Sequence, residues 1–339
     1  MEDQLSDQYT ITSVAITCVW ACRISGFISL LCSSFLLRIV VLCKNDNTSK
    51  NNILGGLSGM DIIQSIAYVA SSAPSPAGTW YGSIGNSITC KIQGFMVQVG
   101  FGVPCYSASL ALFYLLVVGK NYQTDLFAKR IEPFCHIVSI GIPLISAIVL
   151  ISLNKLGGKG TGVCWVFDAF HPRETYIVAL VSGGVIVCIC NAFVLFAMGK
   201  IVLSIRQRRL AMRRYSFRGR EPTVLIDMEK KSLQQGLLFS MAYFFSYAPS
   251  ALVILLLSFG VWGVNSGGLY NTVVILQNIF LPLHGLWNFV IYARPLVEKV
   301  RLRDPSMTIS RTIWFLLSSP KEFHESLSHQ ASRRPSLGA

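Results

Sequence analysis

Two cysteines stand apart from the other eight in the sequence, and the thiol is the most reactive side chain that the chain offers. Cys90 lies in the polar stretch GNSITCKIQGF and Cys164 in GKGTGVCWVF, whereas the others lie within or at the ends of apolar stretches. A free thiol in an apolar stretch behaves as an ordinary small apolar side chain. If Cys90 and Cys164 face an oxidising compartment, we expect them to form a disulfide; two unpaired thiols are the alternative.

Asp61 and Arg23 are charged residues inside otherwise apolar stretches. A charge at the centre of a bilayer costs roughly 2.5–3.5 kcal/mol, so such a residue is a candidate functional site. For Asp61 two interpretations stay open: a cation or water site coupled to activation, or a hydrogen bond that packs two helices. For Arg23 we favour extension toward the membrane surface or structural pairing, for example with Asp61, over binding of an anionic ligand.

Six further polar side chains in the apolar stretches are candidates for contact with a ligand: Gln93, Gln98, Tyr106, Asn191, Gln277 and His284. Hydrogen bonding between helices, worth about 0.6 kcal/mol per bond, is the competing and more common role for each of them. None has the spacing of a metal site such as H-E-x-x-H or C-x-x-C, so we expect no metal and no cofactor. No nucleophile, base and orienting group share one membrane depth, so we expect no enzyme activity.

The elements that must position these residues are membrane-spanning helices, because the chain is too apolar to form a soluble surface. Hydrophobic residues make up 52% of the 339 residues and charged residues 13%, with a mean hydropathy of +0.53. A soluble domain is about 25% charged. Stretches of about 18 or more apolar residues can cross a bilayer. Seven such stretches are present, at 13–43, 52–74, 92–119, 134–153, 174–203, 233–259 and 270–293.

Basic residues are distributed unevenly between the segments that connect the spans. If the N-terminus is outside, the inner segments hold 22 Lys and Arg residues and the outer segments hold four. This asymmetry predicts an outside N-terminus and a cytoplasmic C-terminus, and it accounts for the net charge of +13 without a nucleic-acid partner. Cys90 and Cys164 are then the two cysteines of the outer segments. Their disulfide would hold the second outer loop over the third helix as a lid.

The fold class that follows is an all-α membrane protein with a seven-transmembrane helix bundle at 13–293. Before it lies a short extracellular N-terminus, 1–12, in which we find no secretory signal. After it we expect a short amphipathic helix on the membrane at 294–304 and a mostly disordered cytoplasmic tail at 305–339. Residues 307–319 are too short to span a bilayer and are a second candidate interfacial segment.

The connection between the fifth and sixth spans is the longest and most basic of the predicted cytoplasmic segments. Attraction to anionic lipid and docking of an intracellular protein both fit its charge. Pro249 in the sixth span marks either a pivot for the inner half of that helix or a static kink. Ser216 and Ser336 each follow Arg-Arg-x and are candidate phosphorylation sites. The residues expected to face the intracellular protein are Lys120, Arg206, Arg208, Arg209, Lys230, Lys231 and Arg294.

A seven-helix bundle with an outside N-terminus and a bridge from the third helix to the second outer loop resembles a G-protein-coupled receptor, over roughly residues 13–303. After the third span, LLVVGKNYQTD (115–125) lacks the Asp/Glu-Arg-Tyr triplet of the rhodopsin-like class. The seventh span reads PLHGLWNFVIYARP (282–295), without Asn-Pro-x-x-Tyr. Together with GNSITCKIQGF and LSGMDI (57–62), it is similar to the cyclic-AMP-receptor-like and secretin-like receptors of protists and algae.

In that group the last helix often ends in an Asn, a Tyr and an Arg-Pro turn, represented in this chain by Asn288, Tyr292, Arg294 and Pro295. We therefore assign a further set of residues to an intramembrane switch, namely Asp61, Pro249, Asn288 and Tyr292. Secretin-like receptors usually carry a cysteine-rich ectodomain, which is not present in this sequence. The resemblance thus implies a receptor for a small molecule more than one for a peptide hormone.

The favoured function is a receptor at the plasma membrane that transmits an extracellular, small-molecule stimulus to a heterotrimeric G protein. A transporter built from repeats should show matching halves, and spans one to three have no similarity to spans five to seven. A retinal photoreceptor or pump needs a Schiff-base lysine in the seventh span, and residues 270–293 contain none. The expected partners are an unidentified ligand, a heterotrimeric G protein and the lipid bilayer.

Overall fold

The structure, a computed structural model, describes residues 2–42, 49–158, 162–166, 177–215, 223–258, 268–304 and 306–318. The described chain is mostly helical. Its longer helices are Glu2–Leu42, Ser49–Ala70, Ser87–Val99, Gly102–Phe113, Thr124–Arg130, Glu132–Ser152, Val185–Tyr215, Thr223–Ser258, Gly268–Phe280, His284–Arg303 and Ile309–Ser318. Short π-helical segments, Tyr114–Gly119 and Leu180–Gly184, adjoin two of them, and a small antiparallel sheet pairs Leu156–Gly157 with Trp165–Val166.

Within the described residues, six helices are long and apolar enough to cross a membrane, and a bent pair of helices forms the seventh span. The six are Ser13–Val41, Ser49–Ala70, Ser87–Gly119, Glu132–Ser152, Ile177–Ser204 and Gly236–Val253. In the seventh, Asn271–Phe280 and His284–Pro295 meet at 46°. The predicted all-α fold with seven spans is therefore confirmed, and the spans are numbered one to seven in chain order.

The third span begins earlier than predicted, at Ser87 instead of residue 92, because Asn86 caps it. The Asn86 side chain accepts hydrogen bonds from the backbone N–H groups of Ile88 and Thr89 at 2.9 and 3.0 Å. In return, the Thr89 hydroxyl accepts one from the Asn86 N–H at 2.8 Å, which completes a capping box. Cys90 consequently lies in the first turn of the third helix instead of in a loop before it.

Each span turns one face toward the bundle and exposes apolar side chains on the other. In the fourth span Ser139 and Ala147 are fully buried, whereas Ile137 and Ile145 are 68% and 64% exposed. An apolar outer face suits lipid, because hydrocarbon cannot satisfy polar groups. Inside the bundle, small residues let neighbouring helices pack closely, as where Gly56 of the second span meets the Tyr106 ring of the third.

The seventh span is broken at residues 281–283, where Pro282 removes a backbone hydrogen-bond donor. The helix resumes at His284. There the backbone N–H of Gly285 donates to the Ser29 hydroxyl at 2.9 Å. A side chain at position 285 would collide with Ser29, Ser33 and Asp61. The break therefore docks the start of the second half-helix closely against the first and second spans.

Helices run past three of the predicted boundaries. The first helix begins at Glu2, so residues 2–12 continue the first span, and the fifth-span helix continues beyond residue 203 to Tyr215. The seventh-span helix passes through Pro295 to Arg303, so residues 294–304 do not form the separate helix that the sequence predicted. The short helix after the seventh span is instead Ile309–Ser318.

Asp304 follows the end of this long helix and accepts hydrogen bonds from both the backbone N–H and the hydroxyl of Ser306. These two bonds stabilise the charged carboxylate and hold the pKa of Asp304 below its usual range. One turn inside the helix, Arg294 pairs with Glu298 at 3.3 Å. Both contacts are exposed to solvent, so they contribute little to stability.

Candidate functional site

The two ends of the bundle differ in chemistry. We call the end that carries Cys90 and Cys164 the disulfide end, and the opposite end, which carries Lys120 and Arg206, the basic end. The predicted cysteine pair is bonded, with 5.4 Å between the two Cα atoms. Trp165–Val166, which follows Cys164, pairs antiparallel with Leu156–Gly157, and we call this hairpin the lid.

Gln93, one turn below Cys90 on the third span, uses its whole side-chain amide to fasten the lid. Its nitrogen donates to the carbonyl oxygens of Ala67 and Ser71 at 2.8 and 2.6 Å. Its oxygen accepts from the backbone N–H of Cys164 at 3.0 Å. One buried amide thus joins the second span, the third span and the lid, which fits the hydrogen bonding between helices that the sequence offered as the alternative to ligand contact.

Gln98 makes the second anchor, deeper in the bundle, and it is fully buried. Its amide oxygen accepts from the indole N–H of Trp165 at 2.7 Å. Its nitrogen donates to the Ser146 hydroxyl at 3.0 Å and to the Ser182 carbonyl at 2.9 Å. The third, fourth and fifth spans and the lid therefore meet at this one side chain.

The indole of Trp165 occupies a space between Gln98 and Phe101 of the third span and Gly183 of the fifth, which we call the Trp165 slot. At its edge, Ser146 and Ser182 hold the Gln98 amide. The Phe101 ring lies 5.5 Å from the indole between centroids. A Cβ atom at Gly183 would come within 2.9 Å of the indole and 2.8 Å of the Phe101 ring. The fifth span is π-helical here, over Leu180–Gly184, and such segments often mark functional sites.

His284 and Asn288, in the second half of the seventh span, form a second polar cluster with the sixth span. The Asn288 amide nitrogen donates to His284 Nδ1 at 2.8 Å, and both residues are buried. The rings of Tyr243 and Tyr247 lie 6.2 and 5.9 Å from the imidazole. Within the described residues, neither tyrosine hydroxyl has a hydrogen-bond partner.

Asp61 is buried beside the break in the seventh span and accepts a hydrogen bond from the Ser33 hydroxyl of the first span. It also lies next to Gly285, close to the positive end of the half-helix dipole, which favours a carboxylate. These contacts fit the interpretation of Asp61 as a group that packs helices. In the described part of the chain, no three His, Cys, Asp or Glu residues are grouped so that they could hold a metal ion.

Tyr106 lies apart from the other candidate ligand residues, toward the basic end. Its hydroxyl is 2.8 Å from His136 Nδ1 in the fourth span. His136 Nε2 lies 3.9 Å from Glu132, which accepts a hydrogen bond from the Asn52 amide at 2.7 Å. This chain joins the second, third and fourth spans. It was missed from the sequence, although the four-residue spacing of Glu132 and His136 on one helix was a usable signal.

The remaining predicted residues are spread over the molecule. Asn191 and Gln277 are half-buried, and Gln277 Oε1 has no hydrogen-bond partner among the described residues. Pro249 lies within the unbroken helix Thr223–Ser258, and Tyr292 is buried beneath the Lys50 ammonium at 5.8 Å. The residues that the sequence suggested as one ligand site therefore lie in different places. The fold divides them among the lid, the interface of the sixth and seventh spans, and the part of the bundle toward the basic end.

At the basic end Lys120, Arg206 and Arg294 are exposed. Four further residues predicted to face an intracellular protein lie in helices whose side chains are not described there: Arg208 and Arg209 in Val185–Tyr215, and Lys230 and Lys231 in Thr223–Ser258. The predicted phosphorylation sites Ser216 and Ser336 lie outside the described residues.

Comparison with known proteins shows the fold of the chain but no family. No protein-family model and no curated protein matches the sequence. The structure is similar to the crystal structure of squid rhodopsin, with a TM-score of 0.64 over 92% of this chain and 83% of that one, at 17% sequence identity. The chain is thus a multi-pass membrane protein with a seven-helix fold like that of squid rhodopsin.

Proposed function

We propose that this protein is a cell-surface receptor that transmits an extracellular, small-molecule stimulus to a heterotrimeric G protein. The observation that carries the proposal is the receptor-type fold, a seven-helix bundle similar to squid rhodopsin over 92% of the chain. The disulfide-held lid supports it, because it covers the end of the bundle that an extracellular ligand would reach in the proposed orientation.

In the proposed orientation the disulfide end faces the outside of the plasma membrane and the basic end faces the cytoplasm. Two independent features support it, the excess of Lys and Arg in the predicted inner segments and a disulfide that an oxidising compartment would preserve. An N-terminal epitope tag should be stained on intact cells and a C-terminal tag only after permeabilisation. The reverse staining would contradict the orientation and, with it, the placing of the ligand and the G protein.

At the basic end, exposed Lys120, Arg206 and Arg294 belong to the surface proposed for the G protein. Positive charge there attracts an acidic partner and raises the rate of association. Displacement of the sixth span about Pro249 would open the bundle for insertion of a partner helix. The buried Asp61, Asn288 and Tyr292 would then couple the seventh span to that movement, as in the switch proposed from the resemblance to cyclic-AMP-receptor-like proteins.

A nucleotide-exchange assay with co-expressed G proteins and a panel of small metabolites tests the proposal directly. Ligand-dependent exchange with at least one G protein is the expected result, and exchange should be lost when Lys120 and Arg206 are both changed to Glu in a receptor that still reaches the cell surface. Incubation with retinal distinguishes a photoreceptor from a receptor for a small metabolite. A retinal-dependent absorption band in the visible range would favour that alternative, although residues 270–293 contain no lysine for a Schiff base.

A further inference from the structure

We infer that the Trp165 slot is the ligand site of this receptor and that its ligand is a small planar aromatic heterocycle with an N–H donor, of the indole or purine type. Trp165 acts as a built-in occupant that such a ligand displaces. The inference rests on the proposed function, because it names the chemical class of the stimulus and the place where it binds.

The first step is the chemistry of the slot, which suits an aromatic N–H group. Gln98 presents its amide oxygen to the indole nitrogen at 2.7 Å, and its own nitrogen is held by Ser146 and Ser182, so the oxygen is fixed in direction. Phe101 supplies an aromatic wall, and Gly183 leaves room for a flat ring. An occupant that lacked an N–H group would leave a buried acceptor unpaired, which disfavours it.

The second step is that the slot offers more than Trp165 uses. The Ser182 hydroxyl, in the π-helical turn, is buried and has no hydrogen-bond partner among the described residues. A buried polar atom without a partner normally finds water or a ligand. A heterocycle with a second polar group could use this hydroxyl together with the Gln98 oxygen, and would then bind more tightly than the indole of Trp165.

The third step is that the occupant is replaceable. Trp165 is half-buried, whereas its neighbour Cys164 is fully buried and fixed by the disulfide. The indole can therefore swing out while the lid stays attached through Cys164 and its bond from Gln93. Only a side chain has to move, and such rotations are fast compared with movements of whole helices.

The fourth step gives the direction of the effect. With Trp165 in its slot, the bundle is closed toward the basic end, where the cavity between the third, fifth and sixth spans measures only about 10 Å³, room for one water at most. That cavity is lined by Leu110 and Tyr114 of the third span and by Met198 and Phe239 across from them. Trp165 ties the lid to the third and fifth spans in this closed state, so it acts as a built-in antagonist.

The binding test uses the full-length receptor with Trp165→Ala and two probes, indole and 1-methylindole, which differ in the N–H group. We expect indole to raise the Tm of this variant and to bind about tenfold more tightly than 1-methylindole, since one buried hydrogen bond is at stake. Adding Gln98→Met should remove the difference between the probes. Equal binding of both probes while Gln98 is intact would overturn the inference.

Trp80→Ala is the matched control, because either probe could fill the cavity that removal of any tryptophan leaves. Trp80 also lies near the disulfide end, but its indole N–H has no hydrogen-bond partner within the described chain. Indole and 1-methylindole should affect this variant equally. If Trp165→Ala fails to fold, Trp165→Phe keeps the aromatic contact and removes the N–H group. Indole should then stabilise that variant more than 1-methylindole does, and the opposite order would overturn the inference.

The functional test measures nucleotide exchange on a co-reconstituted G protein. Trp165→Ala should raise the basal exchange rate at least about threefold, and saturating indole should leave it raised, because a free ligand does not tie the lid to the bundle; Trp80→Ala should leave the rate unchanged. An unchanged basal rate in folded Trp165→Ala would make Trp165 a packing residue only. If neither parent nor variants drive exchange on any G protein, the proposed coupling fails, while N–H-selective binding still decides the identity of the slot.

Discussion

The two buried glutamines at the disulfide end are fully paired, whereas several buried polar groups between the sixth and seventh spans have no partner among the described residues. Gln93 and Gln98 use both ends of their amides in bonds to other spans and to the lid. By contrast, the hydroxyls of Tyr243 and Tyr247 and the indole N–H of Trp287 are buried without a hydrogen-bond partner among the described residues. A rearrangement around the two glutamines would break hydrogen bonds, whereas one between the sixth and seventh spans would lose none and could form new ones.

The difference has a physical meaning for the proposed receptor. An unpaired buried polar group costs about 1–3 kcal/mol, so the sixth-to-seventh-span interface gains from internal water or from a rearrangement that pairs its hydroxyls. A network whose groups are all paired resists rearrangement, because any change would leave one of its buried groups without a partner. We therefore expect the backbone at the disulfide end to hold its geometry while the sixth and seventh spans carry the movement of helices.

The largest effect should come from the disulfide itself. Cys90→Ser or Cys164→Ser should each destabilise the protein by about 2–5 kcal/mol, because the bridge closes a long loop and holds the lid. Thermal unfolding in detergent measures the change, and the double variant should be no worse than either single one. Cys188→Ser, at an exposed free cysteine, is the control and should match the parent. If both single variants are as stable as the parent, the disulfide does not stabilise this end of the bundle.

A second test compares two glutamines. Gln93→Leu removes three hydrogen bonds, two to the Ala67 and Ser71 carbonyls and one from the Cys164 N–H, so we expect a loss of about 1–3 kcal/mol. Gln277→Leu removes an amide whose oxygen has no partner among the described residues, and it should cost less than half as much. Comparison of the two melting temperatures checks this. Equal losses would show that pairing does not distinguish the two regions.

A smaller effect is expected at Tyr106. Tyr106→Phe breaks the 2.8 Å hydrogen bond to His136 while it keeps the ring, so the loss should be about 0.5–1.5 kcal/mol. His136→Phe removes the other partner, and the double variant should cost less than the sum of the two single ones, because they share one bond. Additive losses in thermal unfolding would mean that the bond contributes nothing to stability.

The smallest change in stability should follow removal of an unpaired hydroxyl. Tyr243→Phe and Tyr247→Phe should alter the free energy of unfolding by no more than about 0.5 kcal/mol, since no hydrogen bond is lost within the described structure. Their basal nucleotide exchange should nevertheless change, because the hydroxyls would be paired in only one of the two states. A large loss of stability would instead indicate a hydrogen-bonded water held by these groups in the resting state.

Sequence alone was sufficient for the features that depend on local composition. Seven spans follow from runs of apolar residues long enough to cross a bilayer, and the partnership of Cys90 with Cys164 follows from their being the cysteines outside those runs. The early start of the third span was also within reach, because Asn86 and Thr89 have the spacing of a capping box. A proline was misleading at residue 295, where the helix continues to Arg303.

The roles of the polar residues inside the bundle were decided only by the tertiary structure. Gln98 meets Trp165 and Ser182 across 67 and 84 residues of chain, and no pattern along the sequence records such distances. Tyr106 carries the same polar signal as Gln98, yet it faces the second and fourth spans, because the rotation of each helix is set by packing with its neighbours. Hydrophobic length determines that a helix spans the membrane; only the packed bundle determines what each of its polar side chains meets.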